Sequence, residues 1–139
     1  MRTVRHGDGT RYLLLKESSD ASLVRDPETG ERRHLPNDEL EAIDESPLVT
    51  AAETVDEPTR RLLAAVRDDR ALGLLLELDA NGPVGVRFLL DAYDLCESDL
   101  HGLLAEFRAA GLIAEERVNG ERGYDTTAQA AATLDRLRD

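Results

Sequence analysis

The dipeptide Asn119-Gly120 constrains this chain more than any other short stretch. It separates two extended runs, and both central residues of a type I′ turn need a positive φ, which Asn and Gly adopt readily. The pattern predicts a β-hairpin over 112–126. Just before it, apolar residues at positions 100, 103, 104 and 107 form one helical stripe that ends at Gly111. The sequence therefore predicts a helix over 95–111 that leads directly into a two-stranded hairpin.

Four further helices are predicted, three before this one and one after the hairpin. Their expected spans are 58–68, 70–79, 86–93 and 128–138. Pro58 fits the first turn of the first helix, because its missing N–H would have no partner there. The leucine-rich run at 70–79 is apolar on most faces, which is typical of a central helix. Thr126 or Thr127 is expected to cap the last helix.

The N-terminal part of the chain has the pattern of a small antiparallel sheet. Strands are expected near 11–16, 22–25 and 31–35, and a run at 3–5 would make a fourth. Between the second and third strands, Asp26-Pro27-Glu28-Thr29-Gly30 suits a type I turn followed by a left-handed glycine. A meander of this size is too small to be stable alone.

These patterns predict an α+β protein with three parts. Residues 1–43 would form the small β-rich segment. Residues 44–56 are rich in acidic and small residues and contain a proline, so a linker is expected there, with room for one helical turn near 49–53. Residues 57–139 would form the helical domain, with one extra leading helix.

The charge of the chain indicates the ionic strength at which the protein works. It has 29 acidic and 17 basic residues, a net charge of −12, and Lys16 is the sole lysine. This composition resembles that of proteins from salt-loving archaea, whose cytoplasm holds molar salt. At such ionic strength the Debye length is about 3 Å, so repulsion between an acidic protein and nucleic acid is strongly screened. Acidity therefore argues only weakly against DNA as a partner.

Several other classes of function lack support in the sequence. One cysteine permits no internal disulfide, and no apolar run is long enough to span a membrane, so a cytoplasmic protein is expected. His6, His34 and His101 share no ligand spacing with one another or with Cys96, which argues against a metal site. Neither a glycine-rich phosphate loop nor a recognisable catalytic set is present. We therefore expect no cofactor and no enzymatic activity.

Three stretches resemble winged helix-turn-helix transcription regulators. Gly82-Pro83-Val84-Gly85-Val86-Arg87-Phe88-Leu89-Leu90 is similar to the start of their second helix, and Leu95-Cys96-Glu97-Ser98-Asp99-Leu100 to their turn and the start of the recognition helix. Ala110-Gly111-Leu112-Ile113 resembles the step from that helix into the wing. The resemblance covers about residues 70–137, and the whole chain also resembles uncharacterised haloarchaeal winged-helix proteins with a β-rich N-terminal segment. It implies a winged helix-turn-helix domain preceded by the β-meander.

The resemblance also implies a set of DNA-contacting residues. The helix from Glu97 would lie in the major groove of double-stranded DNA, and the hairpin would act as a wing on the flanking backbone. Arg87 would sit near a phosphate at the start of the second helix. The candidate DNA-binding residues are Arg87, Ser98, His101, Gly102, Arg108, Arg117 and Arg122.

Two functions remain open at this point. The first is a DNA-binding transcription regulator that works as a homodimer, with the helix at 58–68 and the last helix forming the dimer contact. The second is a protein-interaction module that keeps the fold and binds a protein partner through the acidic helix face 97–106. That face carries carboxylates where DNA-reading helices usually present Arg, Lys, Asn or Gln.

Three residues of the segment 95–111 carry expectations of their own. Cys96 stands where Ser or Thr normally caps the helix, and we expect a small buried side chain there, with a redox switch as the alternative. His101 is expected to be a solvated surface residue rather than a ligand. Gly102 costs a helix about 1 kcal/mol relative to Ala, which favours a site where DNA or another helix approaches the backbone closely.

Overall fold

The computed structural model describes residues 1–139 and shows an α+β protein with eight strands and six α-helices. It divides into two compact units, Met1–Asp56 and Glu57–Asp139. Neither unit contains a helix whose length and apolar character would let it cross a membrane.

The first unit contains the predicted antiparallel sheet, with five strands rather than three or four. The strands are β1 (Arg2–His6), β2 (Arg11–Glu17), β3 (Ala21–Arg25), β4 (Arg32–Pro36) and β5 (Leu40–Ala42). Their order is β4-β3-β2-β1-β5. The extra strand arises because a 3-10 turn at Asn37–Glu39 carries the chain from β4 to the opposite edge of the sheet, where β5 pairs antiparallel with β1.

Alternation along the strands gives this sheet two different faces. The apolar face carries Val4, Tyr12 and Val24, all buried, and it forms the small core of the unit. On the opposite face, called here the second face, Thr3 pairs with Leu13, and both side chains are buried. Another element of the unit must therefore cover the second face over β1 and β2.

That covering element is a short helix, α1 (Pro47–Ala52), which contacts β1 and β2. The Ser46 side chain accepts a hydrogen bond from the Leu48 N–H at the start of α1, and Pro47 occupies the first turn. The hydroxyl oxygens of Thr3 and Thr50 lie 2.7 Å apart, and both residues are buried. The helical turn expected near 49–53 is therefore present as α1, but the segment is not a free linker, because a cap and a buried hydroxyl pair fix it onto the sheet.

A hydrogen bond within this segment predicts a pH dependence. The Thr50 hydroxyl donates to Glu45 Oε2 at 2.7 Å, and this hydrogen bond lowers the pKa of the Glu45 carboxyl, with Arg11 adding a smaller effect. A carboxyl with a lowered folded pKa stabilises the fold above its unfolded pKa and loses that contribution as the pH falls through the folded value. We expect the free energy of unfolding to fall below about pH 4 less steeply in Glu45→Gln than in the unaltered chain.

Chemical denaturation across a pH series, followed by circular dichroism, measures this difference. Glu28→Gln is the matched control, because its carboxylate lies in the exposed β3–β4 turn and makes no ion pair. Acid limbs of equal slope in Glu45→Gln and the unaltered chain would contradict the prediction.

The second unit contains all five predicted helices and the predicted hairpin. The helices are α2 (Glu57–Ala65), α3 (Asp69–Asn81), α4 (Val86–Ala92), α5 (Glu97–Ala109) and α6 (Ala128–Leu137). The strands are β6 (Val84–Gly85), β7 (Ile113–Val118) and β8 (Glu121–Thr126), in the order β6-β8-β7. The strand β6 was not predicted, because two residues are too few to show a period.

Local signals in the sequence explain how these elements begin and turn. Asn119 and Gly120 have φ values of 51° and 83°, as the predicted type I′ turn requires. Thr127, rather than Thr126, caps α6 by accepting from the N–H of Ala130 at 3.3 Å. The hairpin and the last helix thus follow directly from short sequence motifs.

One apolar core holds the second unit together. Its central helix is α3, in which Leu75 and Leu78 have no exposed surface. From α5, Phe107 is the largest fully buried side chain. The other contributors with at most 2 % exposure include Leu62, Ala71, Leu89, Leu100, Leu104, Ala130 and Leu134. Because α5 supplies its apolar stripe to this core, its opposite side is left facing solvent.

Candidate nucleic-acid interface

Four of the seven candidate residues lie on the solvent-facing side of α5, and Arg108, in its last turn, is described below with the hairpin. Ser98, His101 and Gly102 are all exposed, as are Glu97 and Ala105. Nothing lies within 4 Å of the position where a Cβ on Gly102 would stand. The surface above Gly102 is therefore open to any approaching partner.

The acidic residues at the start of α5 have a structural explanation. Glu97 and Asp99 lie in the first turn, where negative charge interacts favourably with the helix dipole and its unpaired N–H groups. Glu97 Oε1 also lies 3.6 Å from Nε2 of His101, one turn further along, and this contact is an ion pair only when the histidine is protonated. The carboxylates therefore stabilise the helix whether or not they contact a ligand.

Cys96 differs from its predicted buried position. It is the N-cap residue of α5, but its side chain makes no capping hydrogen bond and is exposed, with Sγ 3.4 Å from Oγ of Ser98. The buried stripe of the helix begins only at Leu100, so a side chain at the cap lies beyond the core.

The hairpin brings two candidate arginines together. Arg117 on β7 pairs directly with Arg122 on β8, so their side chains share one face of the hairpin. Arg117 Nη1 donates to the carbonyl oxygen of Gly120 at 2.8 Å, which holds the side chain over the turn.

A third arginine reaches the same place from α5. Arg108 Nη1 lies 3.4 Å from Glu115 Oε2, and Arg122 Nε lies 3.4 Å from Glu115 Oε1. A single carboxylate thus connects the last turn of α5 to β8. Arg108 and Arg122 both contact Glu115, and Arg117 stands opposite Arg122 on the same hairpin face. These three arginines, called here the arginine cluster, leave an excess of two positive charges over Glu115. Sequence reasoning missed Glu115, although its place two residues before Arg117 puts it on the same hairpin face.

An open groove lies between α5 and this face of the hairpin. It has a volume of about 430 Å³, and its lining includes His101, Ala105, Arg108 and Tyr124. Tyr124 is buried, and it forms the hairpin side of the groove. The groove links the exposed face of α5 to the arginine cluster.

Arg87 is separate from the cluster. It lies exposed at the start of α4, where its backbone N–H donates to Glu121 Oε1 at 3.3 Å. It lines a different depression of about 620 Å³ together with Phe88, Val118 and Glu121. Strand alternation places Val118 and Glu121 on the hairpin face opposite to Arg117 and Arg122. The seven candidates thus fall on the α5 face, in the arginine cluster, and at this separate site.

Comparison with known proteins adds a family without a known activity. Residues 1–138 match the model of DUF7346, described as a family of unknown function, and the chain belongs to that family. Neither the comparison with curated proteins nor that with solved structures finds a significant match.

Proposed function

We propose that residues 57–139 form a winged helix-turn-helix domain that binds double-stranded DNA and acts in transcription regulation in the cytoplasm of a halophilic archaeon. In this assignment α5 is the recognition helix and β7–β8 is the wing. The order of helices, the hairpin directly after α5 and the exposed α5 face support it.

The arginine cluster carries the proposal. Guanidinium groups match phosphate oxygens in geometry and remain charged at all relevant pH values. Arg108 and Arg122 share Glu115 where the last turn of the helix meets the hairpin, and Arg117 stands beside Arg122. The groove beside them leads onto His101 and Ala105 of α5. DNA phosphates on the cluster would therefore bring base edges close to the exposed face of the helix.

In this proposal the arginine cluster supplies most of the affinity for DNA, and α5 contributes mainly by fitting the shape of the major groove. The exposed face of α5 bears carboxylates rather than donors for purine edges, so phosphate contacts dominate. Close approach over Gly102 and hydrogen bonds from Ser98 and His101 would add a smaller, sequence-dependent part. We place Arg87 on a flanking phosphate, outside the cluster.

We further propose that the domain binds as a homodimer through α2 and α6. These two helices contact each other and carry Leu63 and Leu137, which are 60 % and 50 % exposed. Two domains related by a two-fold axis would meet a symmetric site on DNA. Multi-angle light scattering in molar potassium chloride tests this, since a monomeric mass would contradict it.

A double variant tests the role of the wing. Replacing Arg117 and Arg122 by Gln should weaken binding to every 30-base-pair duplex tried, because phosphate contacts carry no sequence information. Each lost phosphate contact changes the slope of log affinity against log salt by about 0.9, so we expect a slope shallower by about 1.8. Fluorescence anisotropy over a potassium chloride series measures both effects.

The control keeps the same change in net charge. Arg2→Gln with Arg33→Gln removes two positive charges from the first unit, outside both the proposed DNA interface and the proposed dimer contact. Equal binding by the wing variant and this control would refute the assignment of the wing.

A second candidate function is protein binding through the acidic face 97–106. It is favoured by Asp99, which is exposed and has no cation within ion-pair distance. The same assay separates the two functions through Glu97→Gln with Asp99→Asn. Stronger DNA binding by that variant supports the first function, whereas loss of a co-purifying protein partner supports the second.

A further inference from the structure

A separate positive surface lies on the sheet of the first unit. On the second face, the pairings place Thr3, Leu13, Arg25 and Arg32 in one row across β1 to β4. The register shift between Leu14 and Lys16 brings Lys16 into the next row, with Leu23 and His34. Helix α1 covers the β1–β2 part of this face. The remaining part, called here the basic face, consists of Lys16, Arg25, Arg32 and His34.

The basic face is open to solvent. Lys16, Arg32 and His34 are exposed, and Arg25 is half-buried. The sole lysine of the chain is among them. This arrangement depends on strand register, so it is invisible in the linear sequence.

No carboxylate balances these charges. Arg5 and Arg11 stand on the same face beside α1, and each is held by glutamates, Arg11 Nη1 at 2.6 Å from Glu53 Oε2. Lys16, Arg25 and Arg32 make no such ion pair, in a chain with 29 acidic residues. Arg25 stands directly opposite Arg32, and like charges in that relation destabilise a sheet. An anion bound between the two strands would remove this repulsion.

The nearest acidic residues along the chain do not supply that anion. Asp26 lies in the β3–β4 turn, where its Oδ1 accepts hydrogen bonds from the N–H groups of Glu28 and Thr29. Its carboxylate is therefore engaged in the turn, and it forms no ion pair with Arg25. Glu31 contacts Arg33, which lies on the apolar side of the sheet by alternation.

We propose that the basic face binds the phosphate backbone of a nucleic acid. Protein interfaces have an apolar or aromatic centre, and here the sole apolar side chain among the cations is the half-buried Leu23. Nucleic-acid interfaces are more polar and much more positive, which fits this face. Two neighbouring guanidinium groups suit phosphate oxygens, and the contact is independent of base sequence. This site is distinct from the arginine cluster and does not rest on it.

A triple variant of the full chain tests the proposal. Lys16→Gln, Arg25→Gln and Arg32→Gln together remove three phosphate contacts. We expect the slope of log affinity against log salt to become shallower by about 2.7 on duplex DNA, or by about 2.1 on single-stranded RNA, whichever nucleic acid uses this face. The probes are a 30-base-pair DNA duplex of random sequence and a 30-nucleotide single-stranded RNA, each read by fluorescence anisotropy in a potassium chloride series.

Two further variants keep the result interpretable. Arg2→Gln, Arg5→Gln and Arg33→Gln remove the same charge, but each of these arginines has a glutamate partner, so binding should stay that of the unaltered chain. Lys16→Gln with Arg32→Gln changes only exposed side chains. It should make the slope shallower by about 1.8 on duplex DNA or about 1.4 on single-stranded RNA, even if the half-buried Arg25 proves necessary for folding.

Each outcome decides the proposal. Weaker binding of the triple variant to DNA alone, to RNA alone or to both supports the proposal and identifies the nucleic acid. Equal binding by the triple variant and its charge-matched control, on both probes, overturns it. Repeating the measurement in the Arg117→Gln, Arg122→Gln background separates this site from the wing, because a loss that persists there belongs to the basic face alone.

Discussion

Replacing Phe107 by alanine is expected to lower the free energy of unfolding of residues 57–139 by about 3–5 kcal/mol. Phe107 has no exposed surface and lies in the core between α5 and the other helices. Truncation removes its transfer free energy and leaves a cavity that close-packed neighbours fill only partly. Denaturant titration in potassium chloride, followed by helical circular dichroism, measures the loss.

The chain supplies its own control for this change. Phe88 is the other phenylalanine, and it is 56 % exposed, in an edge-on contact with Tyr93 at 6.5 Å between ring centroids. Phe88→Ala should cost less than about 1.5 kcal/mol, because little apolar area is taken from water. Similar losses in the two variants would mean that Phe107 does not occupy the centre of the core.

This prediction concerns function as well as stability. The stripe that buries Phe107 also fixes which side of α5 faces solvent, and hence where Ser98 and His101 stand. A change that loosens the stripe would let the helix rotate or fray. DNA binding by Phe107→Ala should therefore fall in step with the fraction of folded chain.

Parts of the fold that depend on local chemistry could be predicted from the sequence. The stripe at Leu100, Leu103, Leu104 and Phe107 is buried as its spacing predicts. The Asn119-Gly120 turn has two positive φ values because few other residue pairs tolerate them. In both cases neighbouring residues alone determine the structure.

Parts that depend on pairing between distant segments could not be predicted. Strand β6 has two residues and exists because Val84 pairs with Tyr124 on β8. The docking of α1 on the sheet depends on Thr50 meeting Thr3, 47 positions away. Neither partner reveals the other by periodicity, since each contact is a single polar or backbone match.

The candidate site shows the same division. Arg108, Arg117 and Arg122 could be named from their places on a predicted helix and hairpin. Their grouping around Glu115 follows from register, which the hairpin turn determines only once its type is known. Arg87 was assigned by position alone, and alternation along β8 puts its depression on the other side of the hairpin.

Replacing Gly123 by alanine is expected to lower the free energy of unfolding of residues 57–139 by about 1–3 kcal/mol. Gly123 is buried on β8, between β6 and β7. A Cβ there would stand 2.7 Å from the carbonyl oxygen of Val84 and 3.0 Å from that of Glu116. Both oxygens belong to the flanking strands, so Gly123→Ala can be accommodated only by moving a strand of the proposed wing.

For Gly102 we expect the opposite effect on stability. Gly102 lies inside α5 with open space where a Cβ would stand, so Gly102→Ala should stabilise the unit by about 0.5–1 kcal/mol. Thermal and denaturant unfolding of the two variants, side by side, measures the contrast. Gly123→Ala should also weaken DNA binding, because Arg117 and Arg122 stand on the strands that must shift. Unchanged stability in Gly123→Ala would contradict the tight packing of β8 between its neighbours, and with it the fixed position of the arginine cluster.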